Sequence, residues 1–181
     1  MRTRNYSSEG IVLARKNFGE ADRILVLYSK HHGRISLLAK GVRRPTSRKR
    51  GHLEVFSYIR FQAARGKGMD IMTEAETIDN FSKIRENLKR ASLAYYFMEV
   101  VGRTTHENET HREVFEYVLE SMERLKEEKQ LKKFRLGFVR RLVSLLGFWP
   151  EGKLLLDPDG FLEGVIERKL VTSRVGKRVL A

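Results

Sequence analysis

Through the first part of the chain apolar side chains return at every second position, the period of half-buried strands. Ile11-Val12-Leu13-Ala14 is a short apolar run ending in the polar turn Arg15-Lys16-Asn17-Phe18-Gly19-Glu20. Asp22 to Tyr28 sets Ile24, Val26 and Tyr28 on one face and Leu25 and Leu27 on the other, and Ser29 to Gly33 is a hairpin loop. Arg34 to Ala39 is a third strand, with Ile35, Leu37 and Ala39 alternating against Arg34, Ser36 and Leu38. Leu53 to Phe61 alternates Leu53, Val55, Ser57, Ile59 and Phe61 against Glu54, Phe56, Tyr58 and Arg60. After the turn Arg65-Gly66-Lys67-Gly68, Met69 to Thr77 forms a fifth strand with Met69, Ile71 and Thr73 on one side. Five short strands with no helical period among them predict a small closed sheet, because closure removes exposed edges. A five-stranded OB-fold barrel is the economical form; an SH3-like barrel has the same strand count.

Beyond Asn80 the period lengthens to three and four. Phe81, Ile84, Leu88, Ala91, Tyr95, Met98 and Val101 form an apolar helical stripe, ended by Gly102. Thr110 stands three residues before Glu113, the spacing of a capping box. The helix after it carries Val114, Val118, Met122 and Leu125, with Phe115 and Leu119 beside them and charged residues opposite. A third helix from about Leu131 to Leu146 turns Leu131, Phe134, Phe138, Leu142 and Leu145 inward, with Gly147 at C′ and Pro150 beyond. In the less regular tail, Asp157-Pro158-Asp159-Gly160 reads as a turn joining Leu154-Leu155-Leu156 to Phe161-Leu162 in a small hairpin. The predicted class is therefore α+β: an OB-fold domain over 1–80, an all-α domain over 81–150 and a short C-terminal extension over 151–181.

Charge gives the barrel a direction. The chain carries a net +13, and residues 1–80 hold 16 Lys and Arg against 8 Asp and Glu, so the strand-forming part is the more basic. Six of the eleven residues from Lys40 to Arg50 are cationic, none is acidic, and only Val42 is a sizeable apolar side chain. Such a loop at a strand end is suited to a polyanion, since each neutralised phosphate releases counterions. The plainer reading is a solvated basic surface, but the carboxylates that would intersperse one are missing. A nuclear targeting run is disfavoured because the cations interrupt a strand pattern. On the barrel, Phe56, Tyr58 and Phe61 are candidates for stacking on bases, two of the three being expected in the core.

Other chemistry is thin. The chain has no cysteine, which excludes disulfides, thiolate metal sites and cysteine nucleophiles. Gly66-Lys67-Gly68 lacks the earlier Gly and the following Ser or Thr of a phosphate loop. His31-His32 and the pair His106 and His111 lack metal-site spacing; Asp157 and Asp159 open no calcium loop, since Arg168 stands where its Glu would fall. Glu74 and Glu76 alternate toward solvent. No enzyme and no cofactor are expected. No apolar run approaches a membrane span and no signal segment opens the chain, so a soluble cytoplasmic protein is expected.

The order of motifs carries a resemblance. Gly19-Glu20-Ala21-Asp22, His32-Gly33-Arg34, Ala39-Lys40-Gly41-Val42-Arg43-Arg44 and Ser47 before the strand at Leu53 resemble the RecO family of bacterial recombination mediators. The likeness continues through Thr73-Glu74-Ala75-Glu76, Leu93-Ala94-Tyr95-Tyr96 and Leu145-Leu146-Gly147-Phe148 with Pro150, over most of residues 8 to 150. It implies an OB-fold followed by helices, binding of single- and double-stranded DNA, annealing of complementary strands, and partnership with RecR. It further implies that the helical domain engages the acidic C-terminal tail of the single-strand-binding protein, so that RecA is loaded on coated strands. Carried over by position, Arg34, Lys40, Arg43, Arg44, Arg48, Lys49 and Arg50 would touch phosphate, and Arg140 and Arg141 would meet the acidic tail. Many family members carry a four-cysteine zinc element after the third helix; without cysteine, and with a short tail, zinc is not expected here. An interaction adaptor whose charge serves only solubility, or an RNA-binding OB module, fits the same charge.

Overall fold

The computed structural model describes residues 5–47 and 53–166. Five strands form one closed barrel: β1 (Asn5–Phe18), β2 (Asp22–Ser29), β3 (Gly33–Ala39), β4 (Tyr58–Ala64) and β5 (Asp70–Asp79), in the order β1-β2-β3-β5-β4. β3 and β5 run parallel, through the pairs Leu37–Asp70 and Leu38–Ile71, and every other pairing is antiparallel. This is the OB strand order, which settles the choice between the two barrels. The core is made by Val12, Leu25, Leu27, Ile35, Leu37, Ala39, Val42, Leu53, Ile59, Phe61, Ala63 and Met72.

Irregular backbone decides which side chains enter that core. β1 is much longer than the run Ile11–Ala14. Its first part pairs with β4, its second with β2, and a register shift between Val12 and Ala14 lies where the partners change. There, Val12 N–H donates to Ser57 O (3.0 Å) and Phe56 N–H to Val12 O (2.7 Å). Phe56 takes φ +57 to do so, so Leu53–Ser57 is a looped return and β4 begins only at Tyr58. β5 is shifted against β4 twice, at Thr73 and at Ile78. Each extra residue inverts the alternation. Met72 is buried, while Met69 and Thr73, two of the three apolar-side positions read together, are exposed.

The chain divides into two compact units, and the first is discontinuous: it comprises Met1–Phe81 and His106–His111. This strap, His106–His111, lies along the first half of β3, where β5 does not reach. Glu107 bridges Arg34 in parallel, and Asn108 N–H donates to Arg34 O (2.9 Å). Tyr28 Oη reaches His111 O (3.4 Å) and Thr110 Oγ1 reaches His31 O (3.4 Å). Gly33 is required at the crossing, since at φ +64 a Cβ would stand 2.0 Å from Glu109 O.

The second unit, Ser82–Thr105 with Arg112–Ala181, holds α1 (Ser82–Arg85), α2 (Leu88–Thr104), α3 (Arg112–Leu125), α4 (Leu131–Leu145) and α5 (Pro158–Val165). Gly102 does not end a helix. α2 continues to Thr104, and the hydroxyls of Thr104 and Thr105 bond back to Val100 O (2.8 Å) and Val101 O (2.7 Å). α2 buries Leu93, Ala94, Tyr96, Phe97, Met98, Val100, Val101 and Thr104, so Met98 and Val101 of the expected stripe are inside whereas Leu88 and Tyr95 are exposed. Phe97 stacks on Phe138 of α4 with centroids 3.7 Å apart. Gly147, at φ +75, closes α4 with Phe148 N–H to Val143 O (2.9 Å) and Gly147 N–H to Ser144 O (3.0 Å). The expected hairpin in the tail is instead α5. Asp157 caps it by accepting from Gly160 N–H (3.0 Å), and Pro158 sits in the first turn, where its missing donor costs nothing. Asp159 pairs with Arg135 (2.5 Å).

Candidate nucleic-acid interface

The basic loop starts where β3 ends. Lys40 is exposed, Gly41 reverses the chain at φ +63, and Val42 turns inward, fully buried in the barrel core. Arg43 and Arg44 follow on the outside. Three bonds tie the loop to the β1–β2 turn. Gly41 N–H donates to Asp22 Oδ1 (2.7 Å), Arg43 N–H to Ala21 O (2.9 Å), and Arg43 Nη1 to Gly19 O (3.3 Å). Gly19-Glu20-Ala21-Asp22 and Lys40-Gly41-Val42-Arg43, two separate motifs in the chain, are thus one structure. The carboxylate of Asp22 is a short acceptor for a loop amide, and Val42 is its hydrophobic anchor.

The cations held this way keep their charge open. Among the described residues no carboxylate lies within ion-pair distance of Lys40, Arg43 or Arg44, whereas Arg15 and Arg23 of the neighbouring hairpin share Glu54 at 2.5 and 3.7 Å. Beside them, at the tip of the hairpin, Phe18 is 51% exposed. An exposed ring among unneutralised cations combines a stacking surface with phosphate contacts.

The other expected contact residues go elsewhere. Arg34 is half-buried at the start of β3, opposite Tyr28, a strand's length or roughly 20 Å from Lys40. Arg48, Lys49 and Arg50 lie outside the described residues. Phe56 and Phe61 are both only 1% exposed, which removes them as stacking platforms. Tyr58 is half-buried and donates to Glu9 Oε2 (2.8 Å). Glu9 also meets Lys30 (3.4 Å) and Arg60 (3.6 Å). The Tyr58 bond, aided by Lys30, holds the Glu9 carboxyl below its ordinary range, while burial and the same bond push the Tyr58 phenol up to about 12. In the helical unit Arg140 donates through Nε to Leu155 O (3.2 Å) and Arg141 pairs with Glu151. Both line a cavity of about 560 Å³ on α3 and α4 with Tyr117, Lys133, Phe134 and Phe138.

Sequence reasoning missed Phe18, which reads as one residue of a polar turn, and the pair made by Tyr6 of β1 and Arg65 of the β4–β5 turn. Arg65 lies over the Tyr6 ring, 5.7 Å from its centroid. The signal for Phe18 was available: a large apolar residue beside a turn glycine has little to bury against. Among the described residues no group of histidine and carboxylate side chains could hold a metal ion, and no helix is long and apolar enough to cross a membrane.

A closed barrel of OB order, with a cationic loop at the end of its third strand and a helical unit following it, defines the class of protein. Family models for the N-terminal and C-terminal regions of recombination protein O match residues 1–81 and 85–153. The chain belongs to the RecO family. It is 37% identical over 145 residues to the DNA repair protein RecO of Pelotomaculum thermopropionicum, covering 80% of this chain and 56% of that one. It is 34% identical over 148 residues to that of Desulforudis audaxviator (82% and 59%) and 31% identical over 143 residues to that of Bacillus subtilis (79% and 56%). The chain spans little more than half the length of these relatives.

Proposed function

We propose that this chain acts in DNA repair and recombination as a non-catalytic mediator. It binds single- and double-stranded DNA and anneals complementary strands. With RecR it helps to load RecA on strands covered by the single-strand-binding protein. One observation supports this above the others: Lys40, Arg43 and Arg44 stand exposed on a loop anchored by Val42 and Asp22, with no carboxylate neutralising them among the described residues. Annealing needs no nucleophile and no nucleotide. A cationic surface that lies against two strands lowers the repulsion opposing their meeting, and the exposed ring of Phe18 offers a face to an unpaired base. Arg34, Arg48, Lys49 and Arg50 are proposed as further phosphate contacts. For the acidic tail of the single-strand-binding protein, the cavity bearing Arg140, Arg141 and Lys133 over Phe134 and Phe138 offers cations around an aromatic floor.

The test is annealing of complementary strands coated with single-strand-binding protein, with and without RecR. The variant Lys40→Ala/Arg43→Ala/Arg44→Ala is expected to anneal slowly, and its log–log salt slope on single strands to fall by about 2, at roughly 0.7 for each phosphate no longer neutralised. An unchanged slope removes the loop from the interface. Undiminished partner binding with no DNA binding by the unaltered protein would favour an adaptor, and a preference for RNA in competition would favour an RNA module.

A further inference from the structure

A second concavity lies on the barrel, away from the basic loop. Its volume is about 540 Å³, and its lining includes Tyr6, Arg34, Arg65, Met69, Asp70 and Glu107. It exists because β5 pairs with β3 only from Leu37 onward. The first half of β3 is covered by the strap instead, which leaves an opening between the strap and the β4–β5 turn.

The walls of this opening are built. Tyr6 Oη donates to Asp70 Oδ2 (2.9 Å), and Gly66 N–H donates to Asp70 Oδ1 (3.1 Å), so one carboxylate fixes both the ring and the turn. The ring is also held edge-on by His32, with centroids 4.6 Å apart, and by Phe61 at 6.4 Å. Burial, with His31 and Arg65 nearby, lowers the His32 pKa, so the ring packed on Tyr6 is a neutral one at pH 7. On the other side of the opening Ser36 Oγ donates to Glu107 Oε1 (3.4 Å). Gly66 itself admits no side chain, since a Cβ would fall 2.1 Å from Met69 O.

The charge in this opening distinguishes it from the loop. Two arginines, Arg34 and Arg65, and two acidic residues, Asp70 and Glu107, line it together. A bare phosphate would meet the carboxylates as well as the cations. A flat, uncharged heterocycle that both donates and accepts hydrogen bonds suits a balanced wall, and a tyrosine face roofed by a guanidinium suits its plane. Arg65 is exposed and stands 5.7 Å from the Tyr6 centroid. A base inserted between two layers needs about 7 Å, near 3.5 Å for each contact, so the exposed Arg65 side chain has to lift away from the ring to admit one.

We propose that this opening takes a single unpaired nucleobase, stacked between Tyr6 and Arg65 and bonded at its edge by Asp70 and Glu107. The proposal rests on the nucleic-acid-binding reading above and adds to it a site that discriminates single strands from duplex. A paired base inside a duplex has both faces stacked and its Watson–Crick edge occupied, so duplex is bound without this opening.

The experiment uses the full chain and twenty-nucleotide probes: a single strand carrying one 2-aminopurine, the RNA strand of the same sequence, and a twenty-base-pair duplex. Tyr6→Leu and, at a solvent-exposed position, Arg65→Ala are expected to weaken single-strand binding on the order of ten-fold. Duplex binding should stay within two-fold, and the change in 2-aminopurine emission on binding should be lost. Whichever of the DNA and RNA strands shows the effect identifies the natural one. Equal losses on single strand and duplex with Arg65→Ala, or no loss on the single strands, overturn the site. Failure of the unaltered protein to bind any probe would instead overturn the reading on which it rests.

Discussion

One hydrogen bond on the barrel gives folding a pH signature at both ends of the scale. Tyr58 donates to Glu9 at 2.8 Å, with the Glu9 carboxyl below its usual value and the phenol raised from 10.0 to about 12. For Glu9, the folded chain holds the proton less readily than the unfolded one, so the stabilisation is present above the ordinary carboxylate range and is lost as pH falls through the depressed value. For Tyr58 the sign is opposite: stabilisation is complete below pH 10 and drains away between about 10 and 12. Tyr58→Phe is expected to flatten both edges in a plot of urea midpoint against pH. An alkaline edge equal to that of the unaltered chain would mean that the Tyr58 phenol, raised by burial and by its bond to Glu9, does not weigh on stability.

At the scale of elements, what the sequence made legible and what it hid divide along regularity of backbone. β3 reads correctly because Ile35, Leu37 and Ala39 alternate without interruption and all three are buried. β5 reads with its faces exchanged only as far as Thr73, because the extra residue there leaves no mark in composition and beyond it Ala75 packs on the core. Asp157-Pro158 has the residues of a turn and equally those of a helix start, and α5 uses the second meaning. The cations of the loop were visible as charge, but their tie to Asp22 joins positions that only folding brings together. The strap was least visible: His106–His111 has no apolar period, and its partner is a strand edge far earlier in the chain. Two glycines test the role assigned to it. Gly33→Ala combines the left-handed φ with a clash on Glu109 and should cost at least about 2 kcal/mol in urea unfolding. Gly19→Ala, at φ +57 in open space, should cost about 1 kcal/mol. Equal costs would mean that the strap yields freely.

For the whole molecule, the consequence is that the barrel is not a prefix of the chain. A fragment ending at Phe81 has all five strands and the complete basic loop but lacks His106–His111. Tyr28 reports the loss. In the full chain it is buried, and burial together with Glu109 raises its phenol from 10.0 to about 12. Alkaline titration followed at 295 nm should return Tyr28 toward 10 in the fragment, and the urea midpoint should fall with it. A fragment that keeps both values would show that the strap rests on the barrel without supporting it. DNA binding by such a fragment therefore measures the loop's charge on a weakened scaffold.

The same discontinuity orders events during synthesis. As the nascent chain leaves the ribosome, the five strands emerge first and can pair, but the first half of β3 stays uncovered until α2 has been translated and His106–His111 has followed it out. Completion of the barrel must therefore wait for the first long helix to emerge, and during that interval the bare strand edge is open to pairing with another chain.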